Sequence, residues 1–168
     1  MSPAPRTPLP RGAWPFVALV AAVSALLHVS LSRWPYDDAF IHFRIVRQWL
    51  THGAPYFNSG EAVLATSSPG WTWVLTPLFL LPGPETQWVA LVNALVVTAA
   101  VVLFCRLLTR LGGDALGWPW VVGYAVPALA LLHPAGVGLM ETPLALLVLV
   151  VALSLYLERR ESAFFWLG

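Results

Sequence analysis

Long apolar runs separated by short polar segments dominate the chain, and their lengths predict a bundle of membrane helices. A helix of about twenty apolar residues spans a bilayer. Four runs reach roughly this length, and a fifth begins where the chain ends: residues 14–32, 87–108, 117–133, 139–157 and 163–168. We therefore expect an all-α fold, namely a polytopic membrane helix bundle of four spans plus a truncated fifth.

Two shorter helices are predicted between the first and second runs. The apolar part of residues 70–81 covers roughly 16 Å at about 1.5 Å per residue, half the hydrocarbon thickness, so this segment should lie in the membrane interface. Residues 38–52 are amphipathic, with an aspartate as N-cap and Gly53 as the helix-ending residue. The polar sector of this helix holds Asp37, Arg44, Arg47, Gln48 and Thr51. We expect both helices to be interfacial elements of the first outer loop.

The composition is that of an integral membrane protein. Hydrophobic residues make up 58% of the 168 residues and charged residues 10%, whereas soluble domains carry about a quarter charged residues. The net charge of +1 gives no indication of a nucleic-acid partner, and the single cysteine, Cys105, excludes a disulfide framework. The proline-rich residues 1–13 predict a disordered cytoplasmic tail, and residues 14–168 are expected to form the transmembrane domain.

The distribution of arginines predicts on which side of the membrane the N-terminus lies in each topology, but it does not decide whether residues 70–81 cross the membrane. If the N-terminus is cytoplasmic and residues 70–81 do not cross, six arginines lie inside and three outside, in agreement with the positive-inside rule. If that segment does cross, an N-terminus on the outer side satisfies the same rule. The shortness of the segment favours the first arrangement, which puts Glu141 on the same extracytoplasmic face as Asp37 and Asp38.

The polar face of the 38–52 helix has two interpretations. The first is a capped interfacial helix whose charged face is solvated. The second is a reaction site, because an aspartate can accept the proton of an attacking hydroxyl group and arginines bind phosphate through charge and bidentate hydrogen bonds. Arg44 lies two helical turns from Asp37 on the same face. His42 and His133 have no second ligand at metal spacing, so no zinc site is expected.

Several short motifs, taken in order, resemble one family of membrane enzymes. They are Asp37-Asp38-Ala39-Phe40-Ile41 followed by Arg44, then Asn58-Ser59-Gly60-Glu61, Thr66-Ser67-Ser68-Pro69-Gly70-Trp71 and, later, Gly138-Leu139-Met140-Glu141-Thr142-Pro143-Leu144. Together they are similar to the first and second outer loops of GT-C membrane glycosyltransferases. The likeness is closest to the bacterial polyprenyl-phosphate-sugar enzymes, which include arabinofuranosyltransferases and aminoarabinose transferases. It covers the chain from residue 14 onward.

This resemblance implies a glycosyltransferase of the bacterial inner membrane with extracytoplasmic active-site loops. The donor would be a sugar on polyprenyl phosphate, the acceptor a lipid, glycan or protein, and membrane lipids would surround the enzyme. Asp37 or Asp38 would be the catalytic base, Arg44 and Arg47 would bind the phosphate, and Glu141 would position the substrate or a divalent cation. Mg²⁺ or Mn²⁺ is the candidate cofactor, with Asp38 and Glu141 as its candidate ligands.

The length of the chain departs from the family pattern. Family members run to several hundred residues with more spans, so the chain is expected to be an N-terminal fragment that is inactive alone. The alternative is a non-enzymatic polytopic membrane protein, either a transporter or a degenerate remnant of the family. A transporter predicts polar residues deep within several spans. Here five of the eight acidic residues lie in the outer loops, which favours catalysis at the interface.

Overall fold

The computed structural model describes residues 13–58, 60–61, 66–112 and 133–157 apart from 135, together with 123, 126 and 127. Every regular element in these parts of the chain is helical. In chain order they are α1 (Ala13–Leu31), α2 (Asp37–His52), α3 (Pro69–Leu75), a 3-10 helix (Thr76–Leu80), α4 (Glu85–Gly112) and α5 (Thr142–Leu157). The predicted all-α fold is confirmed for these residues. The predicted tail and the runs 117–133 and 163–168 lie wholly or largely outside them.

The long helix α4 is the centre of the bundle, and both α1 and α5 pack against it. Small and β-branched side chains fill the contact between these helices: Val20 from α1, and Val97, Ala100, Val101 and Cys105 from α4. Side chains of this size let helix backbones approach closely. The resulting dispersion contacts hold the helices together even where lipid replaces water around them.

A second layer, formed by α2, α3 and the 3-10 helix, packs on the N-terminal part of α4. Its interior is built from the buried side chains of Phe43, Trp71 and Leu75, which meet Val89 of α4 and Leu139. The buried positions of α2 recur at intervals of three and four residues, as one face of a helix requires. This layer carries the candidate site residues of the first loop.

The prediction of four membrane spans plus a truncated fifth is wrong for the described residues. Among them, only α4 is long and apolar enough to cross a membrane, over Glu85–Thr109. The apolar stretches of α1 and α5, Pro15–Leu31 and Thr142–Leu157, are shorter. At about 1.5 Å per residue each covers roughly 25 Å, less than the hydrocarbon core of about 30 Å.

Helix α5 begins later than the apolar run 139–157 predicts, because the backbone turns sharply before it. Leu139 has a φ of 62°, a left-handed conformation that a continuing α-helix does not contain. Glu141 is the last residue before the helix, and its carbonyl oxygen accepts the N–H of Ala145 at 3.0 Å. The apolar run is therefore shortened at its N-terminal end by a turn that hydropathy does not record.

The segment predicted as one helix over residues 70–81 divides into two helix types. Helix α3 ends at Leu75, and the chain continues as a 3-10 helix from Thr76 to Leu80. Pro77 accounts for the change, because proline has no N–H for the carbonyl four residues earlier and its ring crowds that carbonyl. The helical character of the segment is confirmed, whereas its place in a membrane interface stays a prediction.

A polar contact inside the bundle holds the segment that leads into α5. Asn93 of α4 is fully buried, and its Nδ2 donates to the carbonyl oxygens of Gly136 at 3.1 Å and Met140 at 3.4 Å. The buried imidazole of His28, from α1, lies directly against Gly136. Buried backbone polar groups need partners. Asn93 donates to the carbonyl of Met140 and is a second donor to that of Gly136, which also accepts the N–H of Leu139 at 3.0 Å.

Candidate active site

Helix α2 begins at Asp37, one residue earlier than predicted, and both aspartates lie in its first turn. The preceding residue, Tyr36, has an extended backbone and is the N-cap, and no side chain in the described part of the chain caps this end. The expectation of an aspartate N-cap is therefore wrong. Asp37 and Asp38 are both exposed, and their negative charges are favourable at the positive end of the helix dipole.

The second motif meets the first at Tyr36. The backbone N–H of Tyr36 donates to the carbonyl oxygen of Gly138 at 3.2 Å. The Tyr36 ring lies so close to Gly138 that a Cβ atom at that position would overlap it. The turn that carries the aspartates and the segment that leads to Glu141 are thus in direct contact, although they are far apart in the sequence.

Three separate parts of the chain meet at the carboxylate of Glu141. Ser68, from the segment before α3, donates its hydroxyl to Oε1 at 2.9 Å. The Nε2 atom of His42, on α2, lies 3.4 Å from Oε2. On the other side of the imidazole, Nδ1 lies 3.2 Å from the hydroxyl of Thr66, which also accepts the backbone N–H of Ser68 at 3.0 Å. We call these four residues, His42, Thr66, Ser68 and Glu141, the Glu141 network.

The Glu141 network is largely shielded from solvent. The side chain of His42 is 6% exposed and that of Glu141 is 23% exposed. Among the described residues, Oε2 of Glu141 has no donor that meets full hydrogen-bond geometry. The basic group beside it is the imidazole of His42, whose Nε2 is 3.4 Å away. Partial burial strengthens each polar contact relative to water and makes a lost contact costly. The carboxylate is thus anchored at Oε1 by Ser68 and flanked at Oε2 by His42.

The two aspartates lie on different sides of α2. Asp38 comes four residues before His42, so these two residues are one turn apart on the face that meets the Glu141 network. Asp37 is offset from Asp38 by about 100° and shares its face with Arg44. An open groove of about 420 Å³ lies beside this second face, lined by Phe40, Phe43, Arg44, Arg47, Gln48 and Thr51.

The two predicted phosphate ligands, Arg44 and Arg47, are exposed, and each already contacts protein groups. The Nε atom of Arg44 donates to the carbonyl oxygen of Phe57 at 2.9 Å, and Nη2 donates to Oδ1 of Asn58 at 2.8 Å. The ring of Phe57 lies 4.4 Å from the Arg44 guanidinium carbon. Nη2 of Arg47 is 3.2 Å from Oε1 of Glu85. A guanidinium has five N–H donors, so both arginines retain donors for a ligand.

The predicted cation site consists of Asp38 and Glu141. Mg²⁺ and similar ions need several oxygen ligands. Within the described residues, no three His, Cys, Asp or Glu side chains come together in a way that could hold a metal ion. Both carboxylate oxygens of Glu141 already face protein groups. The divalent cation therefore stays a prediction, and the chemistry proposed for the site does not depend on it.

Sequence reasoning did not identify His42 or Ser68 as residues of the site. The sequence feature that could have identified His42 is its spacing of four residues from Asp38, which puts both residues on one face of α2. Ser68 could be assigned only from the fold, since it is 73 residues away from Glu141. Glu61 has a different environment, because it is exposed and its Oε2 accepts the side-chain amide of Asn58 at 2.9 Å.

Two proteins of known function are similar to this chain, and both are named terminal beta-(1->2)-arabinofuranosyltransferase. The protein from Mycobacterium tuberculosis is 36% identical over 105 residues, which are 62% of this chain and 16% of the relative. The protein from Corynebacterium glutamicum is 34% identical over 83 residues, which are 49% of this chain and 12% of the relative. The matched region is therefore less than a fifth of either relative. No protein family model and no solved structure matches the chain.

These similarities agree with the resemblance seen in the outer-loop motifs at the level of the reaction class. Both relatives are glycosyltransferases by name. The described residues also include one helix that is long and apolar enough to cross a membrane. Part of the chain is thus similar to two glycosyltransferases, and one described helix has the length and composition to cross a membrane.

Proposed function

We propose that this chain provides the first two outer loops of a membrane glycosyltransferase. The enzyme would transfer a sugar from a polyprenyl-phosphate donor to a lipid, glycan or protein acceptor on the extracytoplasmic face of a bacterial inner membrane. The observation that carries the proposal is the meeting of the two motif segments, where His42 and Ser68 hold Glu141 beside the turn that carries Asp37 and Asp38. Similarity to two arabinofuranosyltransferases supports the reaction class.

Asp37 is the proposed base. Its carboxylate accepts the proton of the acceptor hydroxyl as that oxygen forms a bond to the anomeric carbon of the donor sugar. The bond between the anomeric carbon and the phosphate oxygen breaks, and its electron pair leaves with the polyprenyl phosphate. The site must therefore offer a carboxylate on one side of the sugar and positive charge on the other. The exposed face of α2 carries both.

Arg44 is the proposed partner of the leaving phosphate. It lies about 10 Å along the axis of α2 from Asp37 and on the same face, which leaves room for a sugar ring between the carboxylate and the phosphate. Charge-assisted and bidentate hydrogen bonds from a guanidinium suit a phosphate that gains negative charge as the bond breaks. The groove beside Arg44 adds a second cation, Arg47, and the apolar rings of Phe40 and Phe43, which suits a lipid-linked phosphate.

Asp38 and Glu141 are proposed to orient the substrate. Asp38 is exposed at the start of α2. The Glu141 carboxylate is bound by its network beside His42, which lies one helical turn after Asp38. Sugars and their acceptors carry several hydroxyl groups, and carboxylates are strong acceptors for them. Correct orientation contributes to the rate because it holds the reacting atoms in line before the bond forms.

The proposal is tested by measuring sugar transfer in membranes that contain the complete gene product. Polyprenyl-phosphate arabinofuranose is the first donor to test because of the names of the two relatives, followed by other polyprenyl-phosphate sugars. We expect transfer of the labelled sugar with release of polyprenyl phosphate, and no transfer from nucleotide sugars. Transfer from a nucleotide sugar alone, or from none of these donors, contradicts the proposal.

A further inference from the structure

We infer that His42 is a positioning residue, which acts through Glu141 and does not itself touch the substrate. Its imidazole would fix the Glu141 carboxylate at the angle from which that group orients the sugar or acceptor. The inference rests on the proposed function, because it assigns a role within the same site. It is carried by the geometry of the Glu141 network and by the burial of His42, which is 4% exposed as a whole residue.

The contacts of the His42 imidazole indicate which ring nitrogen carries the hydrogen on the side of the Glu141 carboxylate. The hydroxyl oxygen of Thr66 accepts the backbone N–H of Ser68, and its own hydrogen is free to point to Nδ1 of His42 at 3.2 Å. We assign the acceptor role to Nδ1 in this arrangement, which leaves the hydrogen on Nε2. A protonated imidazolium also carries a hydrogen on Nε2. The Nε2 side of His42 therefore faces Oε2 of Glu141 at 3.4 Å, an electrostatic contact that falls short of full hydrogen-bond geometry.

Two side chains contact Glu141 from different elements and at different oxygens. Ser68 donates to Oε1 from the segment before α3, whereas His42 faces Oε2 from α2. A glutamate side chain has several rotatable bonds and adopts many conformations when it has a single partner. With a hydrogen bond at Oε1 and an imidazole beside Oε2, the carboxylate has fewer accessible orientations than a glutamate with a single partner.

The backbone below this carboxylate is also fixed, so the network has a rigid base. Asn93 donates to the carbonyl oxygen of Met140, the residue before Glu141, and Gly138 accepts the N–H of Tyr36. The movable part of Glu141 is therefore its side chain. Removing His42 is expected to free the carboxylate while the backbone path stays in place, which is the behaviour of a positioning residue.

A set of variants in the complete gene product tests this role through sugar-transfer kinetics. His42→Leu removes the N–H, and His42→Gln keeps an amide N–H near the position of Nε2. His52→Leu is the matched control, because His52 is an exposed histidine at the other end of the same helix. We expect His42→Leu to lower kcat at least about tenfold with KM for the donor nearly unchanged, as for a group that acts in the transition state. His42→Gln should recover most of the rate, and His52→Leu should match the wild type.

A double-mutant cycle with Glu141→Gln connects the effect to the carboxylate. If His42 acts through Glu141, the loss in the double variant should be close to that of Glu141→Gln alone, since the two residues form one unit. If His42→Leu fails to accumulate in membranes, Ser68→Ala is the alternative variant. It removes the hydrogen bond to Oε1 of Glu141 from a less buried residue and should also lower kcat. An active wild type with full rates in His42→Leu and Ser68→Ala, or with independent losses in the cycle, overturns the positioning role. A wild type without sugar transfer contradicts the proposed function instead.

Discussion

The backbone N–H of Tyr36 donates to the carbonyl oxygen of Gly138, and the Tyr36 ring covers the Cα of that glycine. This contact joins the residue before the aspartate turn to the segment that carries Glu141. It contributes to the geometry of the site, because it holds the backbone before the aspartate turn against the segment that leads to Glu141. The candidate active site therefore depends on Gly138, a residue without functional groups of its own.

Substitution of Gly138 by alanine should disturb this junction. The added Cβ would overlap the Tyr36 ring, and we expect Gly138→Ala to destabilise the detergent-solubilised protein by about 1–3 kcal/mol, as overpacking does in protein interiors. The measurement is thermal unfolding followed by tryptophan fluorescence.

Gly70→Ala is the control for this substitution. Gly70 is in the first turn of α3, and a Cβ there would meet no atom of the described residues within 4 Å. The unfolding midpoint of Gly70→Ala should therefore equal or slightly exceed that of the wild type. The double variant Gly138→Ala, Tyr36→Ala should recover stability, since the smaller side chain makes room. Equal midpoints for Gly138→Ala and the wild type would show that the junction is not close-packed.

The sequence predicted single helices more accurately than it predicted how they meet. The bounds of α2 were predicted within one residue, because the amphipathic period and the ending Gly53 are local signals. The start of α5 was missed, since it depends on the left-handed turn at Leu139. The division of the 70–81 segment follows from Pro77, a local residue whose effect depends on the helix around it.

The candidate site was predicted in part. The sequence motifs indicated the aspartates and Glu141, and the structure brings the two loops into contact through Tyr36. The roles of His42 and Ser68 could not be predicted, because the contacts that define them are made between residues distant in the chain. Tertiary packing thus determines which polar residues share the site, whereas local pattern determines which helix each one occupies.

Asn93 is expected to stabilise the segment before Glu141. Asn93→Leu removes the two donated hydrogen bonds, at a cost of about 1–3 kcal/mol. The carbonyl of Met140 loses its Asn93 donor, whereas that of Gly136 keeps the N–H of Leu139. Asn93→Asp should cost more, since a carboxylate would face two carbonyl oxygens. Thr98→Val on the same helix is the control, because the Thr98 hydroxyl bonds only to the carbonyl of Ala94 among the described residues. Unfolding midpoints of Asn93→Leu that match those of Thr98→Val would refute this role.

Arg44 should affect the binding of the donor phosphate. Arg44→Ala removes a charge-assisted contact of about 1.5–3 kcal/mol, which corresponds to a rise of roughly ten- to a hundredfold in KM for the polyprenyl-phosphate sugar. Arg33→Ala removes an exposed arginine that precedes α2 and should leave KM unchanged. Because Arg44 also contacts Phe57 and Asn58, the unfolding midpoint is measured in parallel. A KM that rises equally in both variants would indicate a general effect of surface charge.

The orientation of α4 is testable by chemical labelling. We expect a cysteine at Glu61, an exposed position before α4, to react with a membrane-impermeant maleimide added to intact cells. A cysteine at Leu111, exposed at the opposite end of α4, should react only after the cells are opened. The native Cys105 is buried and provides a low background. Labelling of Leu111→Cys but not Glu61→Cys in intact cells would place the site on the cytoplasmic side.

The central claim is that the aspartate turn of α2 performs glycosyl transfer, and the most direct measurement is the transfer rate of the complete gene product with its aspartates replaced one at a time. We predict that Asp37→Asn lowers kcat by at least about a hundredfold, as loss of a general base does, and that Asp38→Asn lowers it less. Glu61→Gln, the same carboxylate-to-amide change at an exposed position of the same loop, should keep the wild-type rate. Wild-type rates of sugar transfer in both aspartate variants would contradict the claim.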